Sequence, residues 1–133
     1  MKNKILVIGS GAREHAIVRT LSRSPQEKEI ICLASNINPG IAKLCNEIII
    51  GNFNDPEFVV SYAKDMDAML AIIGPENPLA NGIADALWDA GVKVVGPKKD
   101  LAQLETSKAF ARDLLKEYDI SGGPKYQTFY SMN

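Results

Sequence analysis

The feature that most constrains this chain is a rhythm of short, unbroken apolar runs, rich in β-branched residues, separated by longer stretches of helical period. Ile5-Leu6-Val7-Ile8 sets the pattern. Ile30-Ile31-Cys32-Leu33-Ala34, Ile48-Ile49-Ile50, Met69-Leu70-Ala71-Ile72-Ile73 and Val92-Lys93-Val94-Val95 repeat it, giving five strand candidates. A strand that is apolar on both faces must be covered on both, as a parallel strand between two helical layers is.

The intervening stretches supply the cover. Ile17, Val18 and Leu21 share one helical face. Asp55-Pro56 offers a capping carboxylate and a proline at the first helical position, with Val59, Tyr62 and Ala63 following on one side. Asn77-Pro78 carries the same signal and predicts a helix bearing Leu79, Ile83, Ala86 and Leu87, stopped at Gly91. Each strand–helix–strand unit closes right-handed. The expected fold is therefore α/β: a Rossmann-like, three-layer arrangement around a mostly parallel five-stranded sheet.

The pattern changes after Gly96-Pro97. Lys98 to Leu104 reads as a short helix, and Thr106-Ser107 can cap another with Phe110, Leu114 and Tyr118 on one stripe. Ile120 to Pro124 cannot continue a helix, and Lys125 to Tyr130 reads as extended. Residues 1–100 are thus expected to form the Rossmann-like domain. Residues 101–133 read as the opening of a following region that the chain does not complete.

Bulk properties exclude several classes. With 133 residues there is room for one domain with a real core. A formal net charge of −1 gives no global electrostatic case for nucleic acid or an anionic membrane. No apolar run approaches the roughly 20 residues that span a bilayer. The basic, briefly apolar start runs into Gly9-Ser10-Gly11-Ala12-Arg13-Glu14-His15 and reads as a first strand rather than a secretory signal. The two cysteines, Cys32 and Cys45, fit neither a Cys-x-x-Cys motif nor a disulfide framework, so a cytoplasmic protein with reduced thiols is expected.

In open α/β sheets ligands bind beyond the carboxyl ends of the strands, where the strand order reverses. Three loops leave such ends. The first is Gly9 to His15. Gly9 and Gly11 allow close backbone approach, a helix N-terminus follows, and Arg13 adds a forked cation suited to phosphate or carboxylate. The dinucleotide fingerprint is incomplete, because Glu14 stands at its third glycine. No acid follows the second strand, where the sequence reads Ala34-Ser35-Asn36-Ile37. A compact phosphate group suits the loop better than NAD. The alternative is a tight turn in which Arg13 and Glu14 form a solvated pair. His15, the only histidine, has no second histidine or nearby cysteine for metal binding and fits a structural role better than a catalytic one. In the second loop, Ile73 to Leu79, Glu76 and Asn77 stand at the strand end, where they could meet sugar hydroxyls or an amine, or where Glu76 could merely cap the helix. The third loop, Gly96-Pro97-Lys98-Lys99, is plausible as a plain turn.

These segments together resemble the phosphoribosylamine–glycine ligase family. Val7-Ile8-Gly9-Ser10-Gly11-Ala12-Arg13-Glu14-His15-Ala16 is similar to its opening signature, and Ile73-Gly74-Pro75-Glu76-Asn77-Pro78-Leu79-Ala80-Asn81-Gly82 to its second motif. Gly96-Pro97 followed by Leu104-Glu105-Thr106-Ser107-Lys108-Ala109-Phe110 is similar to its third. Ala12 stands where that family usually has glycine, and Asn36 to Ala42 and Ser121 to Pro124 also depart from its pattern. The resemblance covers nearly the whole chain but only about the first third of a complete ligase. It implies a pre-ATP-grasp domain of an enzyme of purine synthesis that joins glycine to 5-phosphoribosylamine, giving glycinamide ribonucleotide, ADP and phosphate. It places the 5-phosphate or ribose at Gly9, Gly11, Arg13, Glu14 and His15, and the ribose hydroxyls or amine at Glu76 and Asn77. ATP and magnesium (or manganese) would bind mainly in the ATP-grasp domains of the same parent chain, with Lys108 reaching nucleotide phosphates or simply exposed. No catalytic residue is expected here, and these residues alone are not expected to catalyse the ligation. Two other readings stay open: the N-terminal domain of another ATP-grasp ligase, and a stand-alone nucleotide-binding or interaction module.

Overall fold

A computed structural model describes residues 3–131. The five expected strands are present: β1 (Asn3–Ile8), β2 (Lys28–Ala34), β3 (Glu47–Ile50), β4 (Leu70–Ile73) and β5 (Lys93–Val95). All pairings are parallel and the order is β3-β2-β1-β4-β5. The chain builds outward from β1 through β2 to β3, then returns to the far side of β1 for β4 and β5. The order therefore reverses between β1 and β4.

Side chains alternate across the sheet. Ile5 and Val7 of β1 join Ile30, Cys32 and Ala34 of β2 on one face, where Val18 of α1 (Ala12–Ser22) and Ile41 of α2 (Pro39–Ala42) cover them. Leu6, Ile8, Ile31, Leu33, Ala71 and Ile73 point to the other face. There they meet Val59 and Ala63 of α3 (Pro56–Asp65), Leu79 of α4 (Glu76–Ala80) and Ile83, Ala84 and Leu87 of α5 (Ile83–Asp89). These are the three layers read from the apolar rhythm. Asp55 caps α3 as expected, accepting the amides of Glu57 and Phe58.

The expected single helix after Asn77-Pro78 is two. Asn77 does not cap it. Pro75 is the N-cap, Glu76 opens α4, and Pro78 falls in the first turn, where its missing N–H costs nothing. Gly82, left-handed at φ 79°, ends α4 and accepts the first bond of α5 from Ala86 N–H. A side chain would resist that φ, so the break is built into the sequence. Gly91 provides the expected stop, its amide bonded to Trp88 O.

Beyond Gly96, α6 (Lys99–Thr106) packs on α4 through buried Ala102, and α7 (Lys108–Glu117) follows, with Ser107 Oγ accepting Phe110 N–H. No side chain of α7 is fully buried: Phe110 keeps 37% of its surface exposed, and Tyr118, which caps the helix end, is largely exposed. The segment after α7 carries no strand among the described residues. Tyr126 O–H returns to donate to Asp113 Oδ1 at 2.8 Å.

Candidate functional site

The carboxyl edge of the sheet is laced by glycines. Gly9 N–H bonds Leu33 O, and Gly74 N–H bonds Ile8 O, each extending the parallel ladder one residue past its strand. Gly9 turns the chain at φ 119° with Glu14 and Pro75 close by, so the position tolerates no side chain. Beneath it, the buried Cys32 thiol donates to Gly9 O at 3.1 Å, and burial pushes that thiol up to about 12.

Helix α1 starts directly after this turn, at the junction of β1 and β4. Arg13 crosses the reversal point. One guanidinium nitrogen donates to Gly74 O, and the other lies 3.8 Å from Glu76 Oε1. Both side chains stay about half exposed, so the pair faces solvent and can be reached by a ligand. Glu76 does not cap α4, which has no side-chain cap bond; it turns to Arg13 instead. Asn77 is exposed in the same first turn.

Glu14 behaves otherwise. Only 4% of it is exposed, and its Oε2 accepts the Gly11 amide at 2.6 Å. The expected alternative of a solvated Arg13–Glu14 pair is therefore overturned. A residue at the third position of a helix faces back toward its own N-terminus, and here that direction is inward. His15 parts from Arg13 and lies over Gly40 of α2, where an added Cβ would sit 2.5–2.9 Å from the imidazole.

A third wall comes from the segment after β2. Asn38 caps α2 through Oδ1, accepting the amides of Gly40 and Ile41, while its Nδ2 donates to Ser10 O at 3.1 Å. Ser10 Oγ and Ser35 Oγ lie 3.2 Å apart. Asn38-Pro39 carries the same cap-and-proline signal as Asp55-Pro56, so this wall was open to detection. Lys108 stands apart from these loops. It is exposed at the first position of α7, a helix packed against α6.

A doubly wound parallel sheet whose reversal point is flanked by a glycine turn, a half-exposed arginine and a carboxylate defines a Rossmann-like α/β domain, with charged groups at the edge where open sheets of this kind take ligands. Its family can be stated. The chain belongs to the family described as phosphoribosylglycinamide synthetase, N domain, whose model matches residues 3–105. The phosphoribosylamine–glycine ligase of Methanosarcina barkeri is 48% identical over 126 residues, which are 95% of this chain and 29% of that protein. Among solved structures, phosphoribosylglycinamide synthetase from Anaerococcus prevotii matches with TM-score 0.62 at 17% identity, over 90% of this chain and 30% of that one. N5-carboxyaminoimidazole ribonucleotide synthetase from Thermotoga maritima matches with TM-score 0.70 at 21% identity, over 99% of this chain and 34% of that one. At such identities the structures establish the fold. The chain spans under a third of the length of the curated relative it matches.

Proposed function

We propose that this chain is the substrate-binding N-terminal domain of an ATP-dependent, cytoplasmic ligase of purine synthesis that joins glycine to 5-phosphoribosylamine. The observation that carries the reading is the Arg13–Glu76 pair across the reversal point, formed by two motifs of the family to which the chain belongs. The Arg13 fork suits the 5-phosphate, and Glu76 with Asn77 suits ribose hydroxyls or the amine. Gly9 lets backbone and ligand approach, Gly11 and Glu14 shape the turn, and His15 borders it on the β2 side.

Among the described residues no three His, Cys, Asp or Glu side chains converge as a metal site, and Lys108, exposed at the start of α7, is open to nucleotide phosphates brought by a neighbouring domain. In this reading activation of the glycine carboxylate belongs to the ATP-grasp domains of the parent chain, and this domain's share is to hold and orient the amine substrate. In this reading the following region begins after α6, later than the boundary expected at residue 100, because buried Ala102 ties α6 to the sheet's core. Two further observations support this: the family match stops at residue 105, and α7 buries none of its side chains.

An NMR titration of the labelled chain with ribose 5-phosphate, with NAD and ATP in parallel, tests the proposal. Shifts at Gly9 to His15 and at Glu76 are expected with ribose 5-phosphate and not with NAD. A stronger response to NAD would replace the ligase reading with a dinucleotide module.

A further inference from the structure

Two consecutive residues of α1 grip the same residue of the opposing loop. Arg13 donates to the Gly74 carbonyl, and Glu14 lies against the Gly74 α-carbon. A Cβ built on Gly74 would sit 1.9 Å from Glu14 Oε1, 2.6 Å from Cδ and 2.8 Å from Cγ, so its three nearest neighbours all belong to Glu14. Gly74 is not among the glycines with positive φ, so its backbone would accept alanine, and the closest obstacle to one is Glu14. On its other side the same carboxylate packs against Gly9, where an added Cβ would lie 2.8 Å from Cδ and Cγ.

A buried carboxylate is costly unless donors meet it. Here the Gly11 amide does so at 2.6 Å, a short charge-assisted bond, and the first turn of α1 adds the favourable end of the helix dipole. Neither the side chain nor the Gly11 N–H is then left for a ligand.

We infer that Glu14 is a positioning residue, whose buried carboxylate is the spacer setting the gap between the β1–α1 and β4–α4 loops, and that Gly74 must be glycine because of it. The spacer holds Gly74 O where Arg13 meets it, and so fixes where the guanidinium stands relative to Glu76. The role in ligand binding rests on the proposed function; the coupling between Glu14 and Gly74 does not.

The test is a cycle of Glu14→Ala, Gly74→Ala and the double variant, with Glu14→Gln as the shape-conserving control. Each is read by thermal midpoint, by the Gly11 amide resonance and by ribose 5-phosphate affinity. Gly74→Ala alone should lower the midpoint and weaken ribose 5-phosphate by tenfold or more. On the Glu14→Ala background the same substitution should change affinity less than twofold and leave the midpoint nearly unmoved. Glu14→Gln should keep most of the affinity while shifting the Gly11 amide upfield. If Gly74→Ala alone does not fold, recovery of folding in the double variant carries the same meaning. Equal costs of Gly74→Ala in both backgrounds, or a Gly11 resonance unmoved by Glu14→Ala and Glu14→Gln, would overturn the inference. Should the unaltered chain not bind ribose 5-phosphate, the functional reading fails, while midpoint and amide shift still decide the spacer.

Discussion

Replacing Arg13 by alanine separates a ligand contact from a structural one. At 3.8 Å between half-exposed groups, the Arg13–Glu76 attraction is about 1 kcal/mol in water, and measured exposed pairs give ~0.2–1 kcal/mol. The bond to Gly74 O adds about 1 kcal/mol, the value of an ordinary hydrogen bond, because the half-exposed guanidinium keeps part of its hydration in either state. Stability should therefore fall by ~1–2 kcal/mol, a drop of roughly 3–8 °C in thermal midpoint for a domain of this size. Loss of a charge-assisted contact to phosphate costs more, ~1.5–3 kcal/mol, or about 10- to 100-fold in affinity. Calorimetric titration with ribose 5-phosphate and with ribose provides the comparison. Arg13→Ala should abolish the preference for the phosphorylated sugar and change ribose binding little. Arg13→Lys should recover part of it, since an ammonium supplies the charge but not the fork. Equal loss for both sugars would show that Arg13 serves only the loop. An unchanged preference would remove it from the phosphate site.

Two further outcomes follow from the packing. Gly40→Ala would drive a Cβ to within 2.5 Å of the His15 ring, so it should destabilise the chain by ~1–3 kcal/mol in urea unfolding, and His15→Ala should relieve most of that cost. Cys32, held up to about 12 by burial first and by the neighbouring Cys45 and Glu14 charges, keeps its proton when folded, whereas in the unfolded chain it ionises near its ordinary 9.0. The unfolded state thus binds fewer protons at high pH, so this stabilisation is complete below about pH 9 and is lost as pH rises through the window to about 12. Urea midpoints between pH 8 and 11 should fall more steeply for the unaltered chain than for Cys32→Ala, and parallel slopes would refute the assignment.

How much was legible depended on the kind of force involved. Strands and layers follow from period alone: alternation puts Leu6 and Ile8 on the face opposite Ile5 and Val7, and they lie there. The break at Gly82 was hidden because Leu79, Ile83 and Leu87 keep a helical apolar spacing straight across it, although Asn81-Gly82 is itself a turn signal. At the site, Arg13 and Glu76 stood out by residue type and loop position. Glu14 did not, because a carboxylate is read as exposed by default. Its burial depends on two chain segments, the Gly9–Gly11 turn and the loop at Gly74, arriving together. Asn38 is the contrary case, a local cap signal that also reaches across to Ser10.

The sheet is open at both sides, and its margins are short: β3 has four residues and β5 three, beginning with the charged Glu47 and Lys93. A margin of that length can lend a visiting strand only about two to four ladder bonds of about 1 kcal/mol each, no more than the low end of the 4–15 kcal/mol that association costs. Folded molecules therefore make poor templates for one another, even with Ile50 and Val95 exposed at the rims. The hazard moves to incompletely folded molecules, in which the longer, wholly apolar stretches of β1 and β2 lie uncovered. Protein concentration during refolding, rather than during storage, should set how much of this chain precipitates.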